Sequence, residues 1–141
     1  MVGLTRGFAD YARSLAANVF HATGVPRSDI ALALDVEAIV LGVGRAIPCG
    51  LIINELITNS LKHAFKTGGG TIRVALKSTA PGWLRLTVAD DGAGLPQSLD
   101  IATTRSMGLQ LVVTLAEQLA AELVVTRVGG TTFSLTFARA P

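Results

Sequence analysis

The chain has 141 residues, which fits one domain whose core buries roughly two-thirds of the unfolded surface. Half of the residues are apolar and the mean hydropathy is +0.52, yet no uncharged apolar run reaches the roughly 18 residues of a spanning helix, and Asp10 and Arg13 interrupt the stretch where a secretory signal would need an apolar centre. Twelve basic and ten acidic residues give a net charge of +2 without any block of like charge, so a cytosolic domain is expected, with no nucleic-acid binding and no membrane contact.

Residues 7–22, GFADYARSLAANVFHA, place Phe8, Tyr11, Leu15 and Val19 at three- and four-residue spacing and predict a first helix. Residues 30–35, IALALD, predict a strand, and a short strand near Ile39–Leu41 could pair with it. A second helix is expected from Pro48, a residue favoured in the first turn, to about Phe65. Cys49, the only cysteine, excludes disulfides and cysteine zinc sites within the chain; it reads as a small buried hydrophobe. Thr71–Ser78 and Leu84–Asp90 form a hairpin pattern around Ala80-Pro81-Gly82. Residues 92–106 lack periodicity and read as a loop. A third helix over 108–121 and two strands, Glu122–Arg127 and Thr131–Phe137, complete the chain. This order predicts an α+β fold: a two-layer sandwich with a mixed five-stranded sheet covered by three helices on one face.

On the second helix, Glu55, Asn59, Lys62 and His63 fall within one arc of roughly 100°, opposite Ile53, Ile57, Leu61 and Ala64. Ile52 and Leu56 lie inside the polar arc, which suggests a second buried face turned to a ligand; the alternative is a solvated helix face. Asn59 offers an amide oxygen and Glu55 a carboxylate one turn earlier, a sparse oxygen set suited to magnesium held mainly by phosphates and water. On the strand before Asp91-Gly92, period-two alternation puts Asp90 on the side of Leu84, Leu86 and Val88. A carboxylate there needs donors, and the amino group of a purine would serve; a plain Asp-Gly turn is the competing reading. Gly92 and Gly94 would let the backbone approach a flat ring. Thr131 shares the parity of Phe133, Leu135 and Phe137 and could reach a base directly or through water. Ser106-Met107-Gly108-Leu109 opens the third helix, whose N–H groups can bind phosphate, and Pro96–Arg105 could form a lid. No phosphate loop of the G-x-x-x-x-G-K-[ST] type, zinc helix or nucleophile elbow occurs.

NELITNSLKHAF, DDGAGLP, SMGLQLV and GGTTFSLTF, in this order, resemble the N box, G1 box, short G2 box and terminal hairpin of the ATP-binding catalytic domain of sensor histidine kinases, within the superfamily of gyrase, Hsp90, histidine kinases and MutL. The resemblance spans the chain, is closest to short-lid kinases, and implies the Bergerat fold. It implies ATP and magnesium as cofactors. Asn59 would be the magnesium ligand and Glu55 the catalytic carboxylate near the reactive phosphate. Lys62 and His63 would contact phosphates, Asp90 would accept from the adenine amino group, and Gly92 and Gly94 would shape that pocket. Leu95 would cover the ring, Thr131 would support Asp90, and Gly108 and Leu109 would bring amides to the phosphates. No separate F box is present, and His21 in NVFHATGV lacks the residues that follow a phosphoacceptor histidine. The chain is therefore expected to be one catalytic domain of a longer kinase. Its partner would be a dimerisation segment carrying the phosphoacceptor histidine and, indirectly, a response regulator. An anti-sigma-type serine kinase on the same fold and a nucleotide-binding module without activity are the alternatives.

Overall fold

A computed structural model describes residues 4–5, 7–22, 29–65, 69–92 and 107–140. Period-two alternation builds its sheet from β2 (Ile30–Val36), β4 (Gly70–Ala80), β5 (Trp83–Asp90), β6 (Glu122–Thr126) and β7 (Thr131–Ala138), in the order β2-β4-β5-β7-β6. The register lines up apolar residues in rows across all five strands. One row runs Val36, Leu76, Leu86, Leu135, Leu123; the next runs Leu34, Val74, Val88, Phe133, Val125. The third row begins Leu32 and Ile72 but continues into Asp90 and Thr131. The greasy inner face thus ends on one edge in two polar residues, side by side. Among the described strands of this sheet, β2 runs parallel to its neighbour, β4, and the other pairings are antiparallel.

Three helices, α1 (Phe8–Ala22), α2 (Val43–His63) and α3 (Met107–Gln118), cover that face, with α2 packed between the other two. Ile52, Ile53, Leu56, Ile57 and Leu61 of α2 are all buried, so its buried apolar surface spans about half of its circumference. The expected α+β sandwich of three helices on a mixed five-stranded sheet is the one observed. Among the described residues no helix is long and apolar enough to cross a membrane.

Two local expectations need correction. The short strand after Ile39 is β3 (Leu41–Gly42), and it pairs with β1 (Leu4–Thr5), antiparallel, instead of with β2. Helix α2 begins at Val43, five residues ahead of the expected start, and takes Pro48 inside it. Gly44 and Pro48 both argue against helix here, and the Gly42 cap makes no side-chain hydrogen bond. Tertiary contact prevails over local preference: Ala46 and Cys49 are buried, and Arg45 Nη1 donates to the Leu119 carbonyl at 3.3 Å. Cys49 is the inert hydrophobe expected, because burial pushes its thiol pKa up to about 12, against a small lowering by Arg45.

Helix α3 ends in a six-residue closing hydrogen bond, Ala121 N–H to the Ala116 carbonyl at 2.8 Å, inside which Ala120 N–H donates to the Glu117 carbonyl at 2.9 Å. Ala120 takes the left-handed conformation this motif demands, with φ 51°.

Candidate functional site

The two polar residues of the third sheet row lie under the C-terminal half of α2. Asp90 is partly buried. Its carboxylate is held at both oxygens: Ser60 Oγ donates to Oδ2 at 2.9 Å, and the Gly92 amide donates to Oδ1 at 3.0 Å. Thr131, 4% exposed, is its register partner on β7. Asp91 has the opposite parity and is exposed; there it accepts the Thr71 amide at 2.7 Å and secures the start of β4.

Glycine is required at two points of this frame. A methyl group on Gly92 would strike the Ala64 carbonyl oxygen, because the chain leaving β5 passes directly under the end of α2. At Gly130, φ is +121° and a side chain would meet the backbone of Asp90 and Asp91. The turn before β7 is thereby pressed against the strand end that carries the carboxylate.

Asn59, Ser60, His63 and Ala64 from α2, Asp90 from β5, and Thr131 and Phe133 from β7 line one hollow of about 20 Å³. That is room for one water molecule, so a base recognised here would sit at its mouth and reach the wall directly or through that water. Asn59 and Asp90, from different elements, thus face a shared space.

Glu55 lies one turn of α2 before Asn59, about 6 Å along the axis, and outside the lining of the hollow. It is partly buried, and a Cβ built on Gly108 would come within 2.8 Å of its Oε2. The carboxylate therefore abuts the first turn of α3, where the helix dipole favours negative charge. Leu109 is anchored in the core at 3% exposure, which fixes that turn. Lys62 and His63 are exposed; His63 borders the hollow and Lys62 does not. Gly94, Leu95 and the proposed lid, 96–106, lie outside the described residues.

Among the described residues no group of three or more histidines, cysteines, aspartates and glutamates gathers to hold a metal. On α2 the Asn59 amide, at the hollow, and the Glu55 carboxylate, one turn earlier, offer oxygen donors. This set fits a hard cation that arrives with phosphate oxygens and water in its shell.

Ser60 was not singled out from the sequence. The signal was present: it lies three residues after Ile57 and seven after Ile53, on the core side of α2. A hydroxyl placed there must have a partner.

A family model described as histidine kinase-, DNA gyrase B-, and HSP90-like ATPase matches residues 44–141. The chain is 34% identical over 122 residues to Blue-light-activated histidine kinase 2 of Erythrobacter litoralis (strain HTCC2594), an alignment covering 86% of this chain and 34% of that one. It is 38% identical over 78 residues to sensor histidine kinase PdtaS of Mycobacterium tuberculosis, covering 54% of this chain and 15% of the relative. Among solved structures, the histidine kinase domain from Erythrobacter litoralis EL346 blue-light activated histidine kinase superposes with a TM-score of 0.87 at 30% identity, over 94% of this chain and 61% of that one. The chain spans about a third of the length of the first of these relatives.

Proposed function

The chain belongs to the histidine kinase-, DNA gyrase B- and HSP90-like ATPase family and is a histidine-kinase-like ATPase catalytic domain, and from that premise we propose that it binds Mg-ATP and donates the γ-phosphoryl group to a histidine on a separate dimerisation segment of the same kinase. The observation that carries this reading is the shared hollow. Asp90, an acceptor held by two donors, faces the same space as Asn59, an amide on the neighbouring helix. A ligand that joins an amino-bearing ring to a metal-bound anion can meet both.

In this reading Asp90 accepts from the adenine amino group, Thr131 supports it, and Gly92, Gly94 and Leu95 shape and cover the ring. The triphosphate runs back along α2. Asn59 would hold magnesium, which when bound neutralises phosphate charge. The exposed Lys62 and His63, and the amides of Gly108 and Leu109 at the start of α3, receive phosphate oxygens. Glu55, beside that same turn, is the carboxylate for the proton of the incoming imidazole. As the histidine nitrogen forms its bond to phosphorus, the bond to the bridging oxygen breaks and ADP leaves. The protein's contribution is positioning and charge stabilisation. The domain would work in the cytoplasm, upstream of a response regulator.

The test is transfer of labelled phosphate from Mg-ATP to an added dimerisation segment carrying the acceptor histidine. Acid-labile label on that segment is expected, and acid-stable label would place the product on a hydroxyl instead. Calorimetry with and without magnesium tests the metal position: Asn59→Ala is expected to abolish magnesium-dependent ATP binding, and unchanged affinity would remove Asn59 from that role.

A further inference from the structure

Ser60 is 7% exposed on the core side of α2. A serine inside a helix usually turns its hydroxyl to solvent or donates it to the carbonyl four residues back. Ser60 instead donates across to Asp90 Oδ2 at 2.9 Å. An ionised carboxylate has no proton to return, so the hydroxyl proton is committed to that oxygen. The torsion that rotates an aspartate carboxylate is intrinsically loose. Here Ser60 holds one oxygen and the Gly92 amide holds the other, at 3.0 Å. The plane of the group is set from two elements, and Asp90 lines the hollow.

We propose that Ser60 is a positioning residue that fixes the Asp90 carboxylate so that the site selects a 6-amino purine over a 6-oxo purine, an inference that rests on the adenine reading above. A fixed carboxylate accepts from an amino group at that edge, whereas a carbonyl oxygen would meet lone pair with lone pair. Without Ser60 the carboxylate turns about its own bond and the penalty against the carbonyl relaxes.

The experiment is magnesium-containing calorimetry of the chain with ATP, GTP and tripolyphosphate, for the parent, Ser60→Ala, Ser60→Thr and Asp90→Asn, with thermal melts of each. Ser60→Ala is expected to weaken ATP about 5–10-fold and to narrow the ATP-over-GTP preference by a similar factor, while tripolyphosphate stays within about two-fold. Ser60→Thr keeps the hydroxyl and is expected to keep the preference. If Ser60→Ala does not fold, Ser60→Cys, similar in size with a weaker donor, is read in its place and must show the same narrowing. ATP affinity and preference unchanged in Ser60→Ala, or lost as fully in Ser60→Thr, overturns the proposal. If Asp90→Asn loses adenine recognition while Ser60→Ala retains it, the positioning role alone is refuted. If the parent does not distinguish ATP from tripolyphosphate, the adenine reading fails and this inference falls with it.

Discussion

At Gly92 there is no space for a single carbon, because the Ala64 carbonyl oxygen closes the gap. Gly92→Ala must push the strand end away from α2, and overpacking of this kind costs about 1–3 kcal/mol, measurable by urea denaturation. The same substitution moves the amide that holds Asp90 Oδ1, so ATP affinity should fall with stability. Asp90→Asn is different in kind. It swaps one acceptor oxygen for an NH2 donor: the Gly92 amide can only donate and keeps the remaining oxygen, while the Ser60 hydroxyl can turn to accept, so the face offered to a ligand loses an acceptor. A loss of about 1.5–3 kcal/mol in ATP binding is expected, with tripolyphosphate binding retained; equal losses for the two ligands in calorimetry would refute adenine recognition by this residue. The orientation of Asp90 was legible because strand alternation is strict. Its donor was not, because pairing Ser60 with a residue thirty positions away needs the fold.

The helix ends show how far elements are set by one another. Ala120 sits at φ 51° to close α3, a conformation in which glycine has no side-chain penalty. Ala120→Gly is expected to raise stability by about 0.5–1 kcal/mol, and an unchanged or lower denaturation midpoint would show that the side chain contributes more than its backbone costs. Arg45 reaches the neighbouring Leu119 carbonyl from the first turn of α2, and Arg45→Met, which keeps much of the aliphatic stem, should cost about 1 kcal/mol through loss of that bond. The early start of α2 could not be read from its own residues, since glycine and proline both speak against it; the partner that stabilises it comes seventy-four residues later. The pairing of β3 with β1 was equally out of reach, because two-residue strands have no period to detect.

For the molecule as a whole, the layer order and the buried faces followed from hydrophobic period, since every long element repeats its pattern two or more times. Alkaline stability adds a measurable property. The Cys49 thiol titrates near 9.0 when unfolded and about 12 when folded, so folding favours the protonated form. Its contribution is fully present below pH 9 and is lost as pH rises towards 12, at up to about 1.4 kcal/mol per pH unit. The stability difference between the parent and Cys49→Ala should therefore shrink between pH 8 and pH 10.5 in urea titrations; a constant difference would mean that the thiol does not titrate late. The parallel seam between β2 and β4 has a practical outcome for anyone trimming this gene. The family match begins at residue 44, but Ile30–Val36 lies upstream and pairs along β4 from Gly70 to Leu76. A fragment started at the family boundary would bare that flank, with its unpaired amides and carbonyls inviting other copies to add on. Such a fragment should aggregate during purification, where one that retains β2 stays dispersed.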